Sequence, residues 1–330
     1  MQKIVFRAMG CQMMAAVDKD GQETARQLEQ VPLWFESWEQ RLSRFRPDSE
    51  LNWINDHSGE DVRISAMMEE VLRAALRAVR ESGGLVTPTV LGALEAAGYS
   101  RSFEEFRVDT EHRADTDHRV DKEPKMLTRI GGGKRPGIGA EAGCISGVPA
   151  ERAVNLNSRS RKVRLAEGVR LDLGGIGKGW AADRAARRLR RLGPALLDAG
   201  GDIAVNGPMA DGEPWPIGIS DPFDEDKQID LLLISRGGVA TSGRDYRRWL
   251  KDRIWQHHII DPRNGLPAQT DVLTATVTAP NAQMAEMAAK TTLILGSWQG
   301  VSWLDHRPEL AGLLVLEDGG LVHSRRWLGA

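Results

Sequence analysis

The sequence predicts an α+β protein in which mixed or antiparallel sheets pack against helices. Some segments carry apolar residues at every second position, as strands do, and others carry them with a helical period. The two kinds of segment do not alternate in the regular βαβ order that a parallel sheet requires. No short internal repeat is found, so a solenoid is not expected.

The first part of the chain is predicted to hold one strand and two helices. Apolar residues alternate over residues 3–18, which predicts a strand followed by a turn. Helical spacing over residues 23–41 predicts a helix that Pro32 interrupts early. The same period over residues 67–82 predicts a second helix, which a pair of glycines ends.

The later part is predicted to begin with a strand and an amphipathic helix. Val169, Leu171 and Leu173 share one side of the predicted strand, which leaves Asp172 on its polar side. An apolar stripe over residues 181–192 lies opposite a row of arginines, which predicts the helix. Further predicted elements are strands within residues 194–205, 230–235 and 271–279, a helix over 281–295, and a hairpin that turns at 318–320.

Residues 109–150 form a polar stretch without an apolar period, which predicts a long connection or insertion. His112, Asp115, Asp117 and His118 lie in its charged half and are candidate metal ligands by residue type. Because nearly all the surrounding residues are charged, a solvated run of charges is the preferred interpretation.

Composition and charge favour a small-molecule or protein partner. The net charge of −2 gives no basic field that would attract nucleic acid. No apolar run is long enough for a membrane span or a signal segment, so a cytoplasmic location is expected. Cys11 and Cys144 show no metal-ligand spacing, and each is interpreted as a buried free thiol.

Residues 171–185, LDLGGIGKGWAADRA, combine glycines, a lysine and the start of a predicted helix. They are not a P-loop, because Gly179 follows Lys178 where a hydroxyl residue is needed, and the glycine spacing fails the dinucleotide fingerprint. Permissive backbone, a lysine and free N–H groups at a helix N-terminus suit a phosphate. A plain strand-to-helix turn explains the same residues, so both interpretations stay open.

Six segments occur in a fixed order: RFRPDSELNWIN (44–55), LDLGGIGKGWAADRA (171–185), AGGDIAVNG (199–207), ATSGRDYRR (240–248), HHIIDPRNGLPA (257–268) and APNAQMAEMAAKTTLILG (279–296). Together with Met9-Gly10 and PTVLGALEAAGY (88–99), they resemble the FAD:protein FMN transferase family, also called ApbE. The resemblance spans nearly the whole chain apart from residues 109–150. It implies one ApbE-like domain over residues 1–330, with a T-fold-related architecture.

The resemblance implies an activity, a substrate and a partner. Members of that family bind FAD and transfer its FMN half to a threonine hydroxyl of an acceptor protein, releasing AMP with the help of magnesium. A flavin-binding protein with little turnover and a hydrolase that cuts FAD to FMN and AMP are the alternatives. The residues do not separate transfer from hydrolysis, because one base and one cationic clamp serve both reactions.

His258 matches the family's histidine and is the candidate general base. A neutral imidazole, with an ordinary pKa of about 6.5, accepts a proton at physiological pH. Asp261 is a candidate to orient it, although Asp-Pro followed by Asn264-Gly265 also fits ordinary turn chemistry. The neighbouring His257 is the weaker candidate.

A second set of residues matches the positions that contact or line the flavin nucleotide site in the family. Asp172 matches a nucleotide contact, and the charge of Lys178 suits the diphosphate. Phe45 offers an aromatic face but no hydrogen-bond donor. The full set of candidate cofactor-binding residues is Met9, Phe45, Ala97, Gly98, Tyr99, Asp172 and Lys178.

The magnesium site is where the sequence departs from the family pattern. The resemblance places Gly175 and Glu286 at ligand positions, but Lys290 stands where a threonine ligand is usual. Carboxylate oxygens bind magnesium and an ammonium does not. Two interpretations follow. Lys290 supplies a fixed charge in place of the metal, which gives weak metal dependence or none, or Glu286 and Lys290 form an exposed ion pair and the metal is bound elsewhere or lost. Thr87, where an acidic residue is common, is a second departure.

Overall fold

The computed structural model describes residues 1–102, 149–252 and 254–327, and an eight-stranded antiparallel sheet forms its centre. The strands, in spatial order, are β1 (Gln2–Ala8), β2 (Cys11–Val17), β6 (Ala195–Asp198), β7 (Asp202–Val205), β10 (Gly237–Gly243), β15 (Val272–Ala279), β16 (Ala311–Leu316) and β17 (Leu321–His323).

Smaller sheets surround this centre. A three-stranded sheet has the order β3 (Asp61–Arg63), β5 (Lys162–Leu165) and β4 (Val154–Asn157). Three two-stranded ribbons are formed by β8 (Trp215–Asp221) with β9 (Asp224–Ile234), β11 (Arg248–Lys251) with β12 (Ile254–His257), and β13 (Ile260–Asp261) with β14 (Leu266–Pro267).

Helices pack against the central sheet and against one another. They are α1 (Gln22–Glu29), α2 (Val31–Leu42), α3 (Glu50–Asp56), α4 (Ala66–Glu81), α5 (Leu91–Ala96), α6 (Ala150–Ala153), α7 (Gly177–Leu189), α8 (Ala282–Leu295) and α9 (Ser297–Asp305). A short 3₁₀ turn, Pro88–Val90, leads into α5, and the Thr87 hydroxyl accepts a hydrogen bond from the Thr89 N–H at 3.3 Å.

The central sheet buries both of its faces, and the alternation of side chains along β7 shows how. Ala204 joins the main core on the side of α7 and α8. Ile203 and Val205 join a second core beneath the β8–β9 ribbon. Because successive side chains of a strand point to opposite faces, Asp202 lies on the same side as Ala204, toward the helices. We call the two sides the helix face and the ribbon face.

Several predicted elements are confirmed. The helices expected at 67–82 and 281–295 are α4 and α8, and the C-terminal hairpin turns at the expected aspartate and glycines. The strands expected within 194–205 are β6 and β7, and residues 230–235 fall largely in β9. The metal-ligand candidates within residues 109–150 lie outside the described ranges.

Two predicted boundaries are wrong. Residues 3–18 are a β1–β2 hairpin rather than one strand, because Met9 and Gly10 adopt φ of 50° and 68°, which lets the chain reverse between them. Apolar alternation continues through this tight turn and hides it. The helix expected at 23–41 is two helices, with the break at Gln30 just before Pro32.

Residues 169–173 are extended but pair with no strand in the described chain, which corrects the strand predicted there. Asn55 of α3 takes the place of a neighbouring strand. Its amide nitrogen donates to the Leu171 carbonyl at 3.0 Å, and its amide oxygen accepts from the Leu171 N–H at 2.7 Å. The Asn55 side chain thus satisfies the backbone N–H and carbonyl of Leu171 as a neighbouring strand would, and it fixes the position of Asp172.

Candidate functional site

The glycine-rich loop leads directly into helix α7, and the first turn of this helix contributes to the candidate site. Lys178 lies in the first turn of α7, and its ammonium forms an ion pair with the carboxylate of Asp202 on β7. Burial opposes the charged form of Lys178, but Asp202 and Glu286 outweigh this effect and raise its pKa above the ordinary value. Lys178 is therefore a fixed positive charge.

Glu286 and Lys290 lie one turn apart on α8 and face the start of α7. The two helices approach closely at Gly179, where an added Cβ would lie 2.8 Å from the Ala282 carbonyl oxygen. One Glu286 oxygen, Oε2, accepts the Gly179 N–H at 3.0 Å. The Lys290 ammonium is so close to Gly175 that a Cβ there would overlap it.

Lys178, Asp202, Glu286 and Lys290 together form what we call the charge cluster. Glu286 Oε1 is 3.9 Å from the Lys290 Nζ, and the two side chains are 3% and 16% exposed. Burial and the neighbouring Asp202 raise the pKa of Glu286, while burial lowers the pKa of Lys290. The expected exposed Glu286–Lys290 pair is thus a buried one.

His258 follows β12 and lies among positive charges. Burial, together with Arg247 and Lys290, lowers the pKa of His258 well below its usual value, so the imidazole is neutral at pH 7. Its Nδ1 atom is sealed from solvent and has no hydrogen-bond partner in the described chain. Asp261 does not orient this ring, because its carboxylate is engaged by the Arg263 guanidinium at 2.7 Å and 2.8 Å.

His257 has a structural environment instead. Its Nε2 lies 3.0 Å from the Ala268 carbonyl oxygen, and its Nδ1 accepts the Ile259 N–H at 3.3 Å. Burial and the nearby Arg244 lower the pKa of His257 to about 4. Both ring nitrogens are therefore occupied by backbone, which leaves no nitrogen for proton transfer.

The Arg247 guanidinium, which sequence reasoning missed, completes the cationic side of the site. Arg247 lies beside Gly10 in the β1–β2 turn, and its Nη2 donates to the Cys11 sulfur at 2.9 Å. Cys11 is a free, half-buried thiol. The motif ATSGRDYRR contains Arg247, but four of its residues are charged, and only the fold shows that Arg247 is the one beside the β1–β2 turn.

Arg44 connects two of the predicted nucleotide-binding segments. Its Nε is 2.8 Å from the Asp172 carboxylate, and its Nη2 donates to the Tyr99 carbonyl at 2.7 Å. Asp172 also accepts the Gly174 N–H at 2.9 Å, which shapes the start of the glycine-rich loop. Asp172 is therefore already neutralised and positioned by the protein.

An aromatic wall stands beside Arg44. The Tyr99 ring stacks on Trp249 with centroids 5.1 Å apart and meets the edge of Phe45 at 5.7 Å. Tyr99 is only 7% exposed, whereas Phe45 is 37% exposed. Of these two predicted contacts, Phe45 therefore has the ring that a ligand can reach.

The remaining predicted contacts are backbone features. The Ala97 carbonyl accepts the Trp249 indole N–H at 2.9 Å, and Gly98 has a φ of 100°, where an added Cβ would lie 3.1 Å from the same indole nitrogen. Met9 is half-buried, and its N–H donates to Glu39 at 2.8 Å. These residues hold the wall and the β1–β2 turn in place.

Magnesium does not fit the residues present. Among the residues that the structure describes, no group of three or more His, Cys, Asp or Glu side chains is arranged to hold a metal ion. The Lys290 ammonium lies beside Gly175 and faces Glu286, the two predicted ligands. A dication placed about 4 Å from this ammonium would be repelled by roughly 8 kcal/mol at an effective dielectric constant of about 20.

The structure thus brings most of the predicted residues to one end of the helix face. His258, Lys178, Glu286 and Lys290 meet there, and Asp172 with Arg44 borders Gly174 of the same loop. Across the described ranges, no helix is both long and apolar enough to span a bilayer.

The fold defines the class of the protein, because it is the fold of solved ApbE proteins. The ApbE protein from Thermotoga maritima matches with a TM-score of 0.77 and 26% identity, covering 98% of this chain and 97% of that one. The apo form of the flavinyl transferase ApbE from Pseudomonas stutzeri matches with a TM-score of 0.74 at 19% identity, covering 98% and 94% of the two chains.

Sequence comparison agrees with the fold. The ApbE family model matches residues 9–314, and the chain belongs to the ApbE family. The FAD:protein FMN transferase of Treponema pallidum is 29% identical over 339 residues, covering 97% of this chain and 87% of the relative. That of Haemophilus influenzae is 24% identical over 292 residues, covering 86% and 76% of the two chains.

Proposed function

We propose that this protein is a FAD:protein FMN transferase that moves FMN from FAD to a threonine hydroxyl of an acceptor protein and releases AMP. Family membership and the names of the curated relatives support the reaction class. The observation that carries the proposal is the neutral His258 imidazole, whose buried Nδ1 is unpartnered in the described chain, beside Arg247 and Lys290. A buried nitrogen without a partner suits an acceptor of the threonine hydroxyl hydrogen bond, and the Arg247 and Lys290 charges beside it suit an anionic substrate.

The site offers separate places for the parts of FAD. The diphosphate fits the glycine-rich loop, where Lys178 supplies charge and the start of α7 supplies backbone N–H groups. The exposed Phe45 ring suits one of the two aromatic ring systems. Met9 and the 97–99 segment complete the wall beside it. Asp172, paired with Arg44, suits a hydroxyl or N–H donor of the nucleotide rather than a phosphate.

The reaction is a phosphoryl transfer. The threonine oxygen forms a bond to the phosphorus of the FMN half, and the bond from that phosphorus to the bridging oxygen breaks. The bridging oxygen keeps the electron pair and leaves as part of AMP. His258 takes the threonine proton, which its neutral state allows at pH 7.

The test compares two adjacent histidines. His258→Ala is expected to lower FMN transfer by about 10²- to 10⁴-fold, the range for loss of a general base, with FAD affinity changed by about twofold or less. His257→Gln is the matched control, because His257 bonds only to backbone, and it should keep most of the activity. Fluorescence bound covalently to the acceptor and released AMP are the readouts. Unchanged transfer by His258→Ala would remove this residue from the mechanism.

The same assay separates the alternatives. AMP release without labelled acceptor would indicate hydrolysis of FAD, in which water replaces the threonine. Bound FAD with neither AMP nor labelled acceptor would indicate a flavin-binding protein, to which the Lys290 and Thr87 departures would point.

A further inference from the structure

We propose that the Lys290 ammonium replaces the divalent cation of the site, so that this protein binds FAD and transfers FMN without magnesium. The inference rests on the proposed function for its reaction, but its binding part can be tested alone. The residues that the structure describes do not form a magnesium site, and Lys290 stands at one of the predicted ligand positions.

Lys290 fills the space between the two predicted metal positions. Its Nζ lies against Gly175 of the glycine-rich loop, at the entrance to α7, and even a methyl group at Gly175 would collide with it. Glu286, one turn earlier on α8, faces the same point with Oε1 at 3.9 Å from the ammonium. The two predicted metal positions therefore surround a positive charge that the chain itself supplies.

The Lys290 charge is paired less closely than the charges of Lys178 and Arg44. Lys178 has a close ion pair with Asp202, and Arg44 has one with Asp172 at 2.8 Å. Lys290 has the longer contact to Glu286 and more distant attraction from Asp202 and Asp172, and within the described residues it donates no hydrogen bond. Its side chain is 16% exposed, so Lys290 is largely buried beside the glycine-rich loop.

Glu286 is the acidic residue left at a ligand position. Its Oε2 is engaged by the Gly179 N–H at 3.0 Å, and its Oε1 faces Lys290. Both oxygens thus have partners from the chain. Glu286 positions the ammonium against the loop rather than presenting free oxygens to a metal.

An ammonium satisfies what the reaction requires. As the bridging P–O bond breaks, negative charge moves onto the AMP phosphate, and a fixed cation stabilises it without a change in its own covalent state. The threonine oxygen forms the new bond to phosphorus and its proton goes to His258. No oxidant, reductant or further reactant is needed. Lys290 then contacts the diphosphate in the ground state as well, so it contributes to FAD affinity.

The binding test uses the full chain in EDTA, with FAD and riboflavin as the two probes. Riboflavin has the flavin ring but no phosphate. Lys290→Met removes the charge and keeps the length of the side chain, and it is expected to weaken FAD binding by about 10- to 100-fold while changing riboflavin binding by about twofold or less. Lys162→Met, on an exposed position of β5, is the matched control.

For the wild-type protein we expect the same FAD affinity in EDTA and in magnesium, and no heat of magnesium binding by titration calorimetry. FAD binding that requires magnesium would overturn the proposal. Equal weakening of FAD and riboflavin in Lys290→Met would overturn it as well, because that result indicates a general loss of the pocket. Circular dichroism of each variant shows that the chain is folded.

The activity test adds the double variant Glu286→Asp, Lys290→Thr. We expect wild-type transfer to be unaffected by EDTA, and the double variant to gain both magnesium binding and magnesium-stimulated transfer. Wild-type transfer that EDTA abolishes would contradict the proposal. If the wild type transfers no FMN under any condition, the proposed function fails, while the FAD and riboflavin affinities still decide whether Lys290 replaces the cation.

Discussion

The two faces of the central sheet bury different chemistry. On the ribbon face, Trp215, Ile217 and Ile219 point from β8 onto the sheet, with Val239 and Leu232 in the same core. On the helix face, the same sheet places Asp202 under Lys178, and α8 adds two further charges. Both faces are buried, but the first is held by apolar contact and the second also by ion pairs.

The difference shows what each face tolerates. An apolar core accepts the loss of one side chain at the cost of a cavity, and the rest of the packing stays as it was. A buried ion pair depends on both members, because either one alone is an uncompensated charge. Four substitutions test this contrast, and their expected effects on the free energy of unfolding decrease in the order given.

Asp202→Ala is expected to have the largest effect, a loss of about 3–5 kcal/mol, because Lys178 keeps its charge and loses its ion-pair partner. Urea unfolding measures it. The matched control on the ribbon side is Asp230→Ala, which loses a hydrogen bond from the Trp327 indole at 2.7 Å and should cost about 1 kcal/mol. Equal losses of unfolding free energy in the two variants would show that the charge cluster depends on its paired charges no more than the ribbon side depends on one hydrogen bond.

Ile217→Ala should cost about 2–4 kcal/mol, because the side chain is 6% exposed and its removal leaves a cavity beneath the ribbon. FAD affinity should stay unchanged, since the site lies on the opposite face. The measurement is urea unfolding followed by FAD titration of the folded variant. Weakened FAD binding would show that the two faces are coupled through the sheet.

Gly179→Ala should cost about 1–3 kcal/mol by overpacking. The added methyl group meets the backbone of α8, at 2.8 Å from the Ala282 carbonyl oxygen and 3.0 Å from the Gln283 Cα, so the helices must separate. Thermal unfolding and FAD affinity should both decline, because the same contact aligns Glu286 with α7. A variant as stable as wild type would contradict the close approach of the helices.

Gly175→Ala should have the smallest effect on stability, within about 0.5 kcal/mol, because the methyl group meets only the end of a flexible lysine. The ammonium must move, so FAD affinity should fall while stability stays near that of wild type. Comparison with Gly179→Ala then distinguishes the two glycines of the loop. Gly179 is needed for the packing of the two helices, and Gly175 leaves room for the lysine ammonium. Loss of stability equal to that of Gly179→Ala would refute this distinction.

The sequence predicts the elements in which the apolar pattern of a helix or a strand continues over many residues. The helix α8 is rich in small and apolar residues, and in β15 threonines alternate with apolar residues, so both stand out from their neighbours. The β1–β2 turn was missed because its two central residues, Met9 and Gly10, do not interrupt the alternation. The strands β10 to β12 were missed because glycines and charged residues obscure their period.

Some residues of the candidate site could be predicted from the sequence and others could not, for a physical reason. His258, Lys178 and Asp172 belong to motifs that a resemblance can transfer, and they stay predictions. Arg44 and Arg247 gave no sign of a role, since the chain has 44 lysines and arginines and only the fold shows which of them are buried. The proposed link between Asp261 and His258 was wrong because Arg263, two residues later, competes for the same carboxylate.

The order of strands in the central sheet has a consequence for how the protein is made. β2 pairs with β6, and the partners Val17 and Ala195 are separated by about 180 residues of chain. At a synthesis rate of about 5–20 residues per second, the first hairpin waits roughly ten seconds or longer for its partner strand. During that time the edge of β2 is unpaired, and such edges recruit other chains. The β2 edge of the nascent chain is therefore open to pairing with other chains until the second half of the protein has been synthesised.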